Sequence, residues 1–272
     1  MAISRPAQRA EDLISEFGIT SPSEIDIEAI AYDRGVEIIY EELHGCEATL
    51  VGVGNKAIAT INPSSSRGRE RFSAAHEIGH WQMHRGQSFR CRTDDVVQNY
   101  SSDNLREKEA DEFASHLLMP TRVFLPAIRA ANRPGLNDLQ VIADDFEVSL
   151  QAISIRLASL DTLPVIVACY SANKMLWFNM APHVPRRWWL KPQLDEDSFA
   201  YDVLHNGKSH TQPRKQSADA WFENDDADQY ELLEQAIPSI RGQVLALLYL
   251  SDSEMCEAGF DPNLRTKSNK RY

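Results

Sequence analysis

Cysteine is scarce in this 272-residue chain: Cys46, Cys91, Cys169 and Cys256 are the whole supply, and no two of them form a CxxC pair. So sparse a set excludes a disulfide-stapled scaffold and suits a reducing compartment. Long apolar runs are missing too. No stretch approaches the roughly 20 residues needed to span a bilayer. The opening MAISRPAQRAEDL lacks the apolar centre of a signal peptide. The expectation is a cytoplasmic protein with no membrane partner. Positive charge is short as well, with 28 Lys and Arg against 40 Asp and Glu and a formal net charge of -12. That disfavours a broad nucleic-acid-binding surface, though not a local basic patch. No internal repeat is found.

What the chain does hold is an ordinary supply of core residues, 43% hydrophobic, in an order that reads as α+β. Residues 1–120 are expected to form the first domain. Helices are predicted over 7–17, closed by Gly18, and over 23–33, with Gly35 past the end. Residues 36–40 are β-rich, and 48–53 and 56–61 flank Gly54-Asn55 as a hairpin. A helix from about 69 to 84 follows the loop 62–66. Residues 85–103 read as a polar loop, and the helix 104–119 is stopped by Pro120. Residues 121–162 read as helical, over 121–131, 137–146 and 150–160, the last two patterned like a helix-turn-helix. Residues 163–264 read as a small α+β domain: a hairpin of 165–170 and 175–179, a helix near 228–236 and an apolar run at 244–250. Residues 265–272 read as a basic tail.

The chemistry concentrates in His76-Glu77-Ile78-Gly79-His80. On a helix, His76 and His80 lie one turn apart on one face, as two imidazole ligands of a tetrahedral metal require. Glu77 sits at the same mouth, suited to take a proton from metal-bound water. Ala74, Ala75 and Gly79 are small and let another element approach closely. The metzincin arrangement needs a histidine at the position of Gly86, so it fails here. The gluzincin arrangement takes a glutamate from a following helix, and Glu107-Lys108-Glu109-Ala110-Asp111 offers two. Glu107 and Asp111 are i and i+4 and share a face, with Ala110 and Ala114 beside them. Glu109 points about 200° away from Glu107, toward the side of Glu112. The expected zinc ligands are therefore His76, His80 and Glu107, with Asp111 bonded to a ligand histidine. Glu109 and Glu112 are expected in solvent, and His116 faces away.

The run from Arg71 to Trp81, RFSAAHEIGHW, and the run from Glu107 to Pro120, EKEADEFASHLLMP, together resemble the ImmA/IrrE family of metallopeptidases. The two motifs stand in the family's order, and the resemblance covers roughly residues 7–160. It implies a gluzincin-like fold followed by helix-turn-helix-like helices. It also implies a zinc-dependent, site-specific endopeptidase that cleaves a helix-turn-helix transcriptional repressor in a stress, DNA-damage or mobile-element response. Some members of the family carry a GAF-like C-terminal sensor domain, a place that residues 163–264 would fill. A different class stands beside this reading: a ligand-sensing regulatory protein whose zinc site is structural or vestigial. Glu77 argues against it, because a structural site needs no base.

Further expectations concern the surroundings of the site. An edge strand within 48–61 would pair with an extended substrate backbone. Tyr100 and His84 are candidate donors to the oxyanion. A thiolate at Cys91 would occupy the fourth zinc position and hold the enzyme off. The helix-turn-helix-like segment is acidic, with Asp138, Asp144, Asp145 and Glu147, which suits packing or substrate docking better than DNA. The cluster Arg186, Arg187, Trp188, Trp189 and Lys191 is the candidate patch for a single-stranded DNA or small-molecule activator.

Overall fold

A computed structural model describes residues 3–63, 66–84, 89–91, 102–208 and 212–257. The chain forms two units, Met1–Ala130 with Ile142–Ser149, and Ala131–Val141 with Leu150–Tyr272. In the first unit, Ser4 opens helix α1 (Arg5–Glu16) by accepting a hydrogen bond from the Ala7 N–H. Ala7, Ala10, Leu13 and Ile14 form its buried stripe at helical spacing. The helix predicted over 23–33 is in fact two pieces. A 3-10 turn at Pro22–Glu24 precedes α2 (Ile27–Asp33). The cause is Asp26, whose carboxylate accepts from the Ala29 N–H at 2.9 Å and so caps a new helix instead of extending an old one.

Strands β1 (Val36–Tyr40), β2 (Ala48–Val53), β3 (Lys56–Ile61) and β4 (Phe89–Cys91) form a sheet of order β1-β3-β2-β4. β3 runs parallel to β1, and the other pairs are antiparallel. The hairpin therefore lies inside the sheet, contrary to the expectation of an edge strand at 48–61. β3 is flanked on both sides. β2 pairs with β4 through Ala48, Thr49 and Leu50, so among the described residues only Val51–Val53 lacks a β4 partner. Alternation fixes the faces: Ala48, Leu50, Ala57, Ala59 and Ile61 are buried, while Val51, Val53 and Ile58 are exposed. The strand β4 itself falls in a stretch read as a polar loop.

Helix α3 (Arg67–Met83) crosses the buried face of this sheet, and α4 (Ser102–Leu118) packs along α3. Two glycines make these contacts close. A Cβ on Gly52 of β2 would stand 2.5 Å from the Trp81 ring of α3. A Cβ on Gly79 would stand 3.2 Å from the Ala110 Cα of α4. Helix α5 (Thr121–Ala131) carries Pro126 in its interior.

The helices α6 (Leu136–Asp145) and α7 (Leu150–Ser159) follow, with Glu147 at φ 51° in the turn between them. The second unit's sheet is wholly antiparallel, in the order β6-β5-β9-β8-β7. Its strands are β5 (Val165–Tyr170), β6 (Met175–Met180), β7 (Arg214–Ser217), β8 (Glu231–Ser239) and β9 (Gln243–Tyr249). Helix α8 (Phe199–Asn206) packs on β8 and β9, and α9 (Ser253–Glu257) follows β9. The helix predicted near 228–236 is replaced by β8. Glu, Leu, Gln and Ala favour a helix locally, but pairing with β7 and β9 on both sides outweighs propensity. Together the two units are α+β. Among the described residues, no helix is long and apolar enough to cross a membrane. The predicted tail at 265–272 lies outside the described residues.

Candidate metal centre

Because Gly79 and Ala110 bring α3 against α4, one turn of each helix faces the other. His76, Glu77 and His80 from α3 are buried, with Glu77 and His80 fully so. Glu107 reaches across from α4. His76 Nε2 lies 3.0 Å from His80 Nε2 and 3.1 Å from Glu107 Oε2, and His80 Nε2 lies 3.3 Å from Glu107 Oε1. A tetrahedral zinc with ligands at 2.0–2.1 Å has ligand–ligand edges of about 3.3 Å. The three residues therefore fit a metal ion of that size, and all their donor atoms lie within 4.8 Å of one another.

The tautomers agree with that fit. Asp111 Oδ1 lies 2.9 Å from His76 Nδ1. As a carboxylate it accepts only, so His76 donates from Nδ1, which leaves Nε2, facing Glu107 and His80, as the atom available to a metal. Electrostatics favour positive charge at that nitrogen, carried by a proton or by a metal ion. Burial by itself would lower the His76 pKa, but its bonds to Asp111 and Glu107 outweigh burial and raise it to about 9. Burial raises the Glu107 carboxyl, yet bonds to His76 and His80 carry it well below the usual range. Burial pushes His80 down. The site is built to hold positive charge.

His76, His80, Glu107 and Asp111 thus come together as the sequence predicts, with Glu77 beside them. Two neighbours differ from expectation. Glu109, read as solvated, lies with Oε2 2.8 Å from His84 Nε2. His84 in turn places Nδ1 3.1 Å from His80 Nδ1. Both ring nitrogens of His84 therefore have partners inside the site. The missed signal was spacing: His76, His80 and His84 recur every four residues, so a third imidazole follows the ligand face. Glu112 binds Ser4 Oγ, and His116 binds Glu11. Tyr100 lies outside the described residues, as does the side chain of Cys91, whose backbone pairs with Ala48.

The basic-aromatic cluster of the second unit is divided between core and surface. Trp188 is buried against Phe222 and Tyr230, and its Nε1–H donates to the Met255 carbonyl. Arg187 is buried over the Trp188 ring and paired with Asp226. Lys191 pairs with Asp195 at 2.6 Å. Only Arg186 and Trp189 of the five are exposed. A stacking platform needs its cations and rings turned outward, and here Arg187 and Trp188 are turned inward.

Residues 31–158 match the peptidase M78 family model, the IrrE N-terminal-like domain. The chain is 26% identical over 123 residues to the phage-like element PBSX protein XkdA of Bacillus subtilis (strain 168). That match covers 45% of this chain and 57% of the relative, so the chain spans little more than half of XkdA. Its fold is similar to that of a Mycobacterium tuberculosis transcriptional regulator, with a TM-score of 0.63 over 97% of this chain and 84% of the regulator. At 16% identity the likeness is one of fold.

Proposed function

Because residues 31–158 belong to the IrrE N-terminal-like domain family, we propose that this chain is a zinc-dependent, site-specific endopeptidase acting on a helix-turn-helix transcriptional repressor. The observation that carries the reading is the convergence of His76 Nε2, His80 Nε2 and Glu107 beside the buried Glu77. His76, His80 and Glu107 would hold the ion. Bound zinc would supply Lewis acidity and a water acidified to a pKa of roughly 7. Glu77 takes a proton from the attacking water and delivers it to the leaving amine. Asp111 holds His76 in the tautomer that ligation needs.

Two similarities support a regulatory substrate. One relative belongs to a phage-like element, and one protein of similar fold is a transcriptional regulator. A cytoplasmic setting and a stress, DNA-damage or mobile-element response follow from that reading. The fold likeness over nearly the whole chain also supports the second reading, a ligand-sensing regulator with a structural or vestigial zinc site. One experiment separates them. Purified wild type should contain zinc and cleave a helix-turn-helix protein encoded beside it, and Glu77→Gln should keep the zinc and lose cleavage. Zinc-loaded wild type that leaves every such protein intact would favour the regulator.

A further inference from the structure

Resting on the zinc reading above, we propose that His84 and Glu109 form a positioning chain that fixes His80 as a metal ligand. The geometry runs in one line. His80 Nδ1 lies 3.1 Å from His84 Nδ1, and His84 Nε2 lies 2.8 Å from Glu109 Oε2. Two ring nitrogens that face each other share one proton, so one donates and the other accepts. Glu109, an acceptor, takes the Nε2–H of His84. The Nδ1 of neutral His84 is then a lone pair. His80 must donate its own Nδ1–H to it, and this leaves the His80 Nε2 lone pair aimed at Glu107 and His76. The reverse arrangement would put the His80 proton on Nε2, where it blocks ligation.

The result parallels what Asp111 does for His76 in a single step. Both ligand imidazoles are thus anchored on carboxylates of α4, one directly and one through a third imidazole. Within one helical turn α4 supplies the ligand Glu107 and the two anchors Glu109 and Asp111. Glu109 lies on a different side of α4 from Glu107, and His84, which ends α3 in a non-helical conformation, φ −125° and ψ 37°, bridges it to His80. His84 is largely buried, with 9% of its side chain exposed, and Glu109 is about one-third exposed, so solvent competes little for the bond between them.

The test uses the full chain and reads metal binding instead of proteolysis. Zinc affinity is measured by competition with a chromophoric chelator for wild type, Glu109→Gln, His84→Phe and the double variant. Absorption spectra of the cobalt(II)-substituted proteins and melting temperatures of the metal-free proteins are recorded in parallel. Glu109→Gln keeps the shape of the side chain and so protects the fold. Each single variant should weaken zinc binding about 10- to 100-fold and move the cobalt bands. The double variant should be no weaker than the worse single one, because both act through one chain. Unchanged affinity and unchanged cobalt spectra, whatever the melting temperatures, would overturn the positioning role while leaving the zinc reading intact. Failure of the wild type to bind zinc at all would overturn both.

Discussion

Glu107 and Asp111 differ in role although they sit one turn apart, and the difference is measurable. Glu107 contributes an oxygen to the converging donor set, whereas Asp111 lies against His76 Nδ1, on the far side of that ring. Glu107→Ala should abolish stoichiometric zinc, while Asp111→Asn should weaken it about 10- to 100-fold with the protein still folded. Metal analysis after dialysis against a calibrated chelator distinguishes these outcomes, and equal losses would show that Asp111 ligates. These residues were legible in the sequence because helix geometry alone decides which side chains share a face. The meeting of Glu109 with His84 was less so: the four-residue spacing places a third imidazole after His80, but which side of α4 that ring reaches depends on where α3 ends, and that is set by the helix cap and its packing.

A second residue-scale consequence belongs to Glu234. Its side chain is buried under α8, accepting from the Ala200 N–H at 2.7 Å and the Trp221 Nε1–H at 2.8 Å. Burial pushes its carboxyl up to about 7, against an ordinary value of 4.5, in spite of those bonds. A folded pKa above the unfolded one means the folded state holds the proton more tightly. The stability this confers is complete below about pH 4.5 and is lost as pH rises through about 7. The change amounts to roughly 3 kcal/mol at most. Urea denaturation at pH 5 and pH 8, followed by tryptophan fluorescence, should show lower stability at pH 8. Glu234→Gln should flatten the difference, and an unaltered pH slope in that variant would rule the glutamate out as its source.

At the scale of elements, the position of α3 depends on Gly52. Trp81 follows His80 directly, and its Nε1–H is tied to the Arg34 carbonyl at 2.9 Å. Its ring therefore cannot swing aside for a Cβ that would stand 2.5 Å away. Gly52→Ala should cost about 1–3 kcal/mol by overpacking and should loosen the metal centre with it. A thermal melt and a zinc titration of this variant test both effects; a wild-type melt would mean that the sheet yields instead. The helix α3 and the strands β1, β2 and β3 were readable from periodicity and from the Gly54-Asn55 turn. The order of the sheet was not, because parallel pairing of β1 with β3 is a tertiary choice that no local pattern carries. The same limit hid β8, whose helix-forming residues are held in a strand by partners on both sides. Helix α8 was missed even though Ser198 caps its start and Gly207, at φ 63°, ends it.

The whole molecule carries its two sources of conditional stability in different units. Every metal-centre residue lies within Met1–Ala130, and Glu234 lies within Leu150–Tyr272. A ligand that binds only the folded state stabilises it by RT ln(1 + [L]/Kd), about 2.7 kcal/mol at a hundredfold excess over Kd. Removing a metal ion from the candidate centre should lower the stability of the first unit, and raising the pH from 5 to 8 should remove the Glu234 contribution from the second. Calorimetry of the full chain should resolve two transitions, one that falls on addition of chelator and one that falls with rising pH and ceases to do so in Glu234→Gln. If the transitions move independently, each unit folds by itself. If a single transition responds to both perturbations, the units fold as one cooperative body. In that case the prediction of separable stability fails.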